Sequence, residues 1–294
     1  MKTKKRLLSI LLSLVLVLGL MPGMCLTAYA NEWEGNPYAD LVNTTNVITF
    51  DNKAWYLIED NSTAANAGTV TLLAKECVGA SSFNSDIDVG NTYSISDVKT
   101  FVDNWYNNNI SAAAKAAVSG SGMFLLTKDQ ANAITNAAVR KCSGYYYWWL
   151  CSPNSSDDKY AWYVSGSSGN VYDNGFVYSS YGVRPALKLD LSKVTFASVN
   201  LSGGANATAS GGSTFQNYFD CGTTHSAMTT VTYTASEGNM FPATSDLYKE
   251  TNGITVARTS DNVVTVSGTP TANANITIPD AIPGFKLLDD TPSL

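Results

Sequence analysis

The sequence has few of the residues that most catalytic and metal sites require. It contains one histidine, His225, in a threonine-rich stretch of its second half. No Ser-His-Asp or Cys-His pair can therefore be assigned in the first half. No CxxC motif or Cys/His spacing indicates zinc. The acidic residues show no spacing that singles out an acid/base pair. We therefore predict a protein that is not an enzyme and has neither cofactor nor metal.

Basic residues are also scarce. Four of the 18 Lys and Arg residues lie before residue 31, which leaves 14 basic against 24 acidic residues in the rest of the chain. Binding to nucleic acid draws on clustered Lys and Arg that neutralise phosphates. The sequence therefore predicts no nucleic-acid partner.

Residues 1–30 have the pattern of an export signal. They begin with MKTKKR, continue with an apolar run from Leu7 to about Met24, and end in the small-x-small site AYA. Because the run ends in a processing site rather than in basic stop-transfer residues, a cleaved signal is favoured over a membrane anchor. We expect a mature chain that begins at Asn31, is secreted or held at the cell surface, and has no membrane span.

Four cysteines are left after the signal, in a compartment that permits disulfides. They are Cys77, Cys142, Cys151 and Cys221. Four cysteines allow three connectivities, and sequence alone does not choose among them. We favour a disulfide between Cys142 and Cys151, which flank an aromatic run. In the other interpretation the cysteines are buried free thiols that act as small hydrophobic residues.

Composition divides the chain near residues 191–198 and predicts two domains, 31–194 and 195–294. The first has α+β character. The second lacks tryptophan and consists of short β-branched segments between turn residues, which predicts a small all-β immunoglobulin-like sandwich. Residues 201–213 are predicted to be a flexible loop.

Within the first domain, β-branched and aromatic segments at 47–50, 55–58 and 69–73 predict strands and an early hairpin. Apolar spacing predicts a helix at about 95–106, with Ser94 as its N-cap. Ser111 caps a short alanine-rich helix. Thr127 and Gln130 form a capping box for a third helix that reaches about Lys141. Short strands follow at 161–164, 169–172 and 176–178, and 183–191 alternates like a strand with one buried face.

The stretch from 145 to 181 holds eight of the sixteen tyrosines and three of the six tryptophans, among Ser, Asn, Asp and Gly. Tyr and Trp give large, stiff contact area, and the small polar residues give adaptable hydrogen bonds, as in antibody binding loops. The alternative is that the tyrosines only cover a small sheet, with their hydroxyls at the water boundary. The predicted ligand-binding residues are Asn154, Asp157, Asp158, Tyr160, Tyr163, Tyr172, Tyr178 and Tyr181.

Three further residues are predicted to be structural. Trp148 and Trp149 are adjacent, so on a strand they point to opposite faces; we expect one, taken as Trp148, in the core and the other exposed. Arg184 precedes Pro185, which favours an extended conformation. We predict that Arg184 forms an ion pair or clamps carbonyl groups rather than binding a ligand.

The ordered blocks of the first domain resemble an uncharacterised domain family common in secreted bacterial proteins. The blocks run from ITFDNKAWYLIED through TVTLLAK, SISDVKTFVDNWYNN and MFLLTKDQA to YYYWWLCSP and GVRPALKL, and they cover about 46–191. In that family the last two signatures usually read W-x-L-R-S-P and G-V-R-P-A-L. The resemblance implies a C-type-lectin-like α+β fold, distantly similar to the formylglycine-generating enzyme and to the variable proteins of diversity-generating retroelements. This chain has Cys151 where the family usually has Arg.

The resemblance supplies a fold but not an activity. The lectin motifs for calcium, Glu-Pro-Asn or Gln-Pro-Asp with a later Trp-Asn-Asp, are missing, so calcium-dependent sugar binding is not expected. Residue types that retroelement mutagenesis favours crowd 154–181, which raises diversification as one interpretation. We predict non-catalytic recognition of an extracellular protein or glycan. The alternatives are a structural component of the cell surface and, less favoured, an oxidase-like enzyme that uses Cys142 and Cys151.

Overall fold

The computed structural model describes residues 33–222 and 225–284 of the chain. The predicted export signal lies outside the described residues. The described part is mostly β-sheet with four α-helices. None of its helices has the length and apolar character needed to cross a membrane.

Nine strands and the four helices lie before residue 195, in the part that we call the first half of the chain; the second half begins at residue 195. The helices are α1 (Asp97–Asn109), α2 (Ala112–Ala117), α3 (Lys128–Ala133) and α4 (Ala137–Arg140). The strands are β1 (Ile48–Phe50), β2 (Lys53–Ala64), β3 (Ala67–Ala74), β4 (Gly79–Ser82), β5 (Tyr147–Pro153), β6 (Tyr160–Ser165), β7 (Val171–Phe176), β8 (Ser180–Val183) and β9 (Ala186–Asp190).

The second half contributes only strands and short 3₁₀ turns within the described residues. The strands are β10 (Thr195–Gly203), β11 (Ala207–Ser210), β12 (Phe215–Asp220), β13 (Val231–Ala235), β14 (Asn239–Met240), β15 (Glu250–Thr251), β16 (Ile254–Ser260), β17 (Val263–Gly268), β18 (Ala274–Ile278) and β19 (Ile282–Pro283).

A seven-stranded sheet joins the two halves. Its order is β18-β10-β12-β1-β2-β3-β9. β1 pairs in parallel with β12, so that Ile48 lies opposite Asn217. Main-chain hydrogen bonds therefore cross the boundary that composition predicts between residues 194 and 195.

A five-stranded sheet, β11-β13-β17-β16-β15, packs on the far end of the large sheet. The core between them includes Val199 and Tyr218 from one sheet and Val231 and Val264 from the other. The second half thus has two β-layers around an apolar core.

The prediction of a flexible loop at 201–213 is wrong. β10 continues to Gly203, and β11 pairs with β13 along its whole length. The side chains of β11 are small and largely exposed, and main-chain hydrogen bonds to β13 hold this edge strand in place. Gly203 has a positive φ at the turn, where a Cβ atom would lie 2.4 Å from the carbonyl oxygen of Ile278.

A second five-stranded sheet, β4-β8-β5-β6-β7, lies in the first half. We call it the small sheet. β5 lies between β8, to which it is parallel, and β6, to which it is antiparallel. Separate apolar cores contain Trp149 and Trp148, which alternate along β5. The two faces of this strand therefore meet different surroundings.

The helix boundaries follow their caps. Ser96, not Ser94, is the N-cap of α1, because its hydroxyl accepts the N–H of Lys99. The Thr127–Gln130 capping box is confirmed. The third helix, however, ends at Ala133 instead of reaching Lys141. Asn136 then caps α4 by accepting the N–H of Ala138, since a local side-chain bond of this kind competes with a continuous helix.

Candidate functional site

One face of the small sheet carries a layer of aromatic rings. Tyr147 and Trp149 are two residues apart on β5 and so point the same way. Tyr163 is the cross-strand partner of Trp149 and also of Tyr172. Tyr181 of β8 completes the set. We call these five residues the aromatic face.

The rings of the aromatic face contact one another. Tyr181 stacks on Trp149, with ring centroids 4.3 Å apart and planes 25° apart. Tyr163 stacks with Tyr172 at 5.4 Å. Tyr147 packs edge-on against Tyr163 at 5.0 Å. Aromatic pairs in these arrangements hold one another in position, so the layer is preformed.

Exposure increases from the middle of the layer outwards. Trp149 is fully buried and donates its Nε1–H to the carbonyl oxygen of Ser81 at 2.9 Å. Tyr163 and Tyr181 are half-buried, and burial raises the pKa of both phenols. Tyr147 and Tyr172 are 40% and 41% exposed. The face therefore presents both apolar rings and hydroxyl groups to solvent.

A second aromatic group lies at the other end of β6 and β7. Tyr160 is the cross-strand partner of Phe176, and their rings are 4.5 Å apart. Phe176 in turn stacks with Tyr178 at 5.3 Å. Phe176 and Tyr178 are exposed, and Tyr160 is half-buried. We call these three residues the Phe176 group.

The polar residues predicted to bind a ligand build the loop between β5 and β6. The Asn154 side chain donates to the carbonyl oxygen of Asp173 and accepts the N–H of Ser156. Asp157 accepts the N–H of Lys159 at 2.9 Å. Asn91 ties the loop down from outside by donating to the carbonyl oxygens at both its ends. Asn154 and Asp157 therefore shape this loop through internal hydrogen bonds.

Asp158 lies at the exposed tip of the same loop. Its Cβ lies 3.4 Å from where a Cβ on Gly90 would stand, so the loop packs closely against the turn that follows the 3₁₀ helix Ile87–Val89. Asp157 and Asp158 are exposed, and Asn154 is half-buried.

The opposite face of β5 surrounds a buried guanidinium. Arg184 is fully buried and donates from Nε to the carbonyl oxygen of Ala74 at 2.7 Å and from Nη2 to that of Lys75 at 2.9 Å. Its guanidinium carbon lies 5.2 Å from the centre of the Trp148 ring. The carbonyl oxygen of Pro185 accepts the N–H of Ala74. Residues 184–185 are thus fastened to the end of β3 by three hydrogen bonds.

The expectation that one of the paired tryptophans is exposed is wrong. Both have no accessible surface. They do point to opposite faces, but Phe83 and Tyr181 cover Trp149, while a separate core encloses Trp148. A strand inside a layered domain has two covered faces, which alternation alone does not reveal.

Part of the first half of the chain matches a known family model. Residues 119–191 match the family model described as a domain of unknown function, DUF6273. The match agrees, for these residues, with the resemblance to an uncharacterised domain family. No curated protein and no solved structure matches the chain.

The DUF6273 segment contains every strand that contributes to the aromatic face. It runs from before α3 to just beyond the end of β9, and so includes β5 to β8 and Arg184. The large-sheet strands β1 to β3 and the helix α1 lie before it. The segment thus depends on neighbours outside the match to cover its buried face.

Cys77, Cys142, Cys151 and Cys221 are all free thiols in the structure, as in the alternative to a disulfide, and Cys142 lies next to Cys77. The thiol of Cys142 accepts the N–H of Cys77 at 3.1 Å. Cys151 packs against the core that contains Trp149, whereas Cys142 belongs to the core that contains Trp148. Burial raises the pKa of Cys151 to about 11. The favoured Cys142–Cys151 disulfide is therefore corrected: Cys142 neighbours Cys77. An oxidase-like use of Cys142 with Cys151 loses its geometric basis for the same reason.

Several contributors were missed at the sequence level. Tyr147 could have been found from its i, i+2 relation to Trp149. Phe176 begins the predicted strand 176–178 and was passed over for its tyrosine neighbours. Asn91 and Cys77 carry no local signal, because their partners are more than sixty residues away. Within the described residues, no group of three or more His, Cys, Asp or Glu side chains is placed to hold a metal ion.

Proposed function

We propose that this is an exported, non-catalytic recognition protein that binds an extracellular protein or glycan through the aromatic face and the Phe176 group. One observation carries the proposal. Ten large hydrophobic side chains are exposed in the described part of the chain, and five of them lie between residues 146 and 178. They are Tyr146, Tyr147, Tyr172, Phe176 and Tyr178.

Such a concentration favours binding. Single exposed apolar side chains are ordinary, whereas clustered exposed aromatic side chains are typical of an interaction surface. Tyr147 and Tyr172 belong to the aromatic face, and Phe176 and Tyr178 belong to the Phe176 group at the other end of β6 and β7. Tyrosine loses little conformational entropy on binding, and rings that already pack on one another lose still less. The stack on Trp149 therefore lowers the cost of complex formation.

Two finer features of the fold belong to the same proposal. A C-type-lectin-like first domain is supported by the small sheet, one side of which carries the residues of the aromatic face. An immunoglobulin-like second domain is supported by the two β-layers around the Val199 and Val231 core. Export is supported by the basic, apolar and small-residue sequence of residues 1–30.

The experiment is a glycan and surface-protein binding screen with the full chain. It compares the wild type with a Tyr160→Ala, Tyr172→Ala, Tyr178→Ala triple variant. Phe215→Ala is the matched control, because Phe215 is an exposed aromatic residue of the second half. We expect ligands that bind the wild type and the control and lose at least about tenfold in affinity with the triple variant. Equal binding by all three proteins would refute the proposed surface.

A further inference from the structure

Two chain segments run side by side next to the buried Arg184. Glu76 accepts both the N–H and the hydroxyl of Ser143 through one carboxylate oxygen, each at 2.8 Å. One residue further along, the N–H of Cys77 donates to the thiol of Cys142 at 3.1 Å. Two successive contacts, 76 with 143 and 77 with 142, hold the cysteines against each other.

The Cys77 thiol packs tightly against Gly182 of β8. A Cβ atom on Gly182 would lie 2.8 Å from the Cys77 Sγ and 3.0 Å from Cγ of Tyr145, which is closer than such atoms approach. Gly182 therefore admits the Cys77 thiol between β8 and the Tyr145 ring. The Cys77 N–H and the Cys142 Sγ are in hydrogen-bond contact, so the two residues lie directly beside each other.

The charge environment makes the two thiols unequal. The pKa of Cys142 is lowered, mainly by a side-chain hydrogen bond from the Cys77 thiol and further by the guanidinium of Arg184. The pKa of Cys77 is raised, mainly because its thiol is the donor in that side-chain hydrogen bond and then by burial. The thiolate is the nucleophile in disulfide exchange, so Cys142 is the thiol equipped to attack first.

The pair is reached from the surface on two sides. A cleft of about 390 Å³ is lined by Cys142, Tyr145, Tyr146 and Ser167. Another, of about 260 Å³, has Cys77, Lys75 and Trp105 in its lining. Small disulfides can therefore approach Cys142 from the first cleft.

We propose that Cys77 and Cys142 form a reversible disulfide by exchange with an external small-molecule or protein disulfide. The Cys142 thiolate attacks one sulfur of the external disulfide and expels the other as a thiolate, which gives a mixed disulfide. Cys77 then loses its proton to solvent and attacks the Cys142 sulfur, which releases the second external thiolate. Two cysteine thiols are oxidised and one external disulfide is reduced to two thiols, so atoms and electrons balance.

The bond would join the segment after β3 to the segment after α4, across 65 residues of chain. Closing a loop of this length restricts the unfolded state, so the oxidised protein melts roughly 10 °C above the reduced protein. Cys151 and Cys221 stay as thiols, because both pack against a different core from the one that holds Cys77 and Cys142.

The test uses the full chain, fully reduced and then equilibrated in glutathione buffers of increasing oxidised fraction. After acid quenching and maleimide alkylation, peptide mapping by mass spectrometry reports every cysteine. We expect one linked pair, Cys77 with Cys142, while Cys151 and Cys221 remain alkylated. Cys151→Ser is the matched control and forms the same link. Alkylation of both Cys77 and Cys142 in the most oxidised buffer, or a link to Cys151 or Cys221, would overturn the proposal.

Two single variants test the order of attack. In Cys77→Ser, Cys142 should accumulate as its glutathione mixed disulfide roughly tenfold faster than Cys77 does in Cys142→Ser. Equal rates would contradict the assignment of Cys142 as the attacking thiol. The wild-type mapping needs no substitution, so it stands even if a variant folds poorly.

Discussion

The two faces of β5 differ in what covers them, although each carries a tryptophan. On one face Trp149 lies beneath tyrosines whose rings are partly exposed to solvent. On the other, Trp148 flanks a guanidinium whose Nε and Nη2 are bound to carbonyl oxygens in the interior. Aromatic content therefore does not separate a binding surface from a core. What separates them is whether the residues that cover the tryptophan are themselves exposed to solvent or buried.

The largest expected effect is a loss of stability from a substitution on the enclosed face of β5. Arg184→Met leaves the carbonyl oxygens of Ala74 and Lys75 without their donors in the interior, which should lower the free energy of unfolding by about 3 kcal/mol. Urea denaturation measures this. Tyr178→Ala, on the exposed side, is the control and should cost under about 1 kcal/mol. A loss from Arg184→Met no larger than the control's would show that the clamp is dispensable.

A paired substitution of the two tryptophans sharpens the comparison. Trp148→Phe and Trp149→Phe each remove ring volume and one indole hydrogen bond to a carbonyl, that of Arg140 or of Ser81. Each should cost about 2 kcal/mol of stability. Only Trp149→Phe should also weaken binding to a ligand found in the screen, because it replaces the indole ring on which Tyr181 stacks with a smaller ring. Equal effects of the two variants on binding would remove the proposed difference between the faces.

Reactivity of the reduced thiols gives a smaller, pH-dependent contrast. A lowered pKa means that Cys142 is a thiolate at a lower pH than an ordinary cysteine, while Cys151, with a pKa of about 11, is still protonated. Iodoacetamide should therefore modify Cys142 first at pH 8, and Cys151 should react appreciably only as the pH approaches 11. Rates from mass spectrometry decide the matter; faster modification of Cys151 would reverse the expected order.

The smallest effect concerns the phenols of the aromatic face. Burial raises the pKa of Tyr163 and Tyr181 above 10.0, so the folded state binds these protons more tightly than the unfolded state. Their contribution to stability is complete below pH 10 and is lost as the pH rises through the folded-state pKa. Tyr163→Phe should therefore make the alkaline fall in unfolding free energy slightly less steep. An unchanged slope in urea titrations at pH 9 to 11 would argue against it.

Local signals predicted local structure well. The Thr127–Gln130 capping box and the hairpins formed by β1 to β3 follow from residues that are near one another in sequence. The parallel pairing of β1 with β12 joins segments about 170 residues apart, and no periodicity encodes such a partner.

The candidate site divides in the same way. Tyr163, Tyr172 and Tyr181 of the aromatic face could be named because composition marks them, whereas Tyr147 was missed. The Cys77–Cys142 contact and the cover over Trp149 could not, since both depend on how β3, α4 and β5 are placed together. Cys151, nine residues from Cys142, was the nearer partner in sequence but belongs to a different core.

The most direct test compares Phe176→Ala with Phe215→Ala on one ligand from the binding screen. Each of these phenylalanines is 39% exposed at the end of a strand, but only Phe176 lies on the proposed recognition surface. The equilibrium dissociation constant should rise at least about tenfold for Phe176→Ala and stay within about twofold for Phe215→Ala. Equal dissociation constants for the two variants would contradict recognition through this surface.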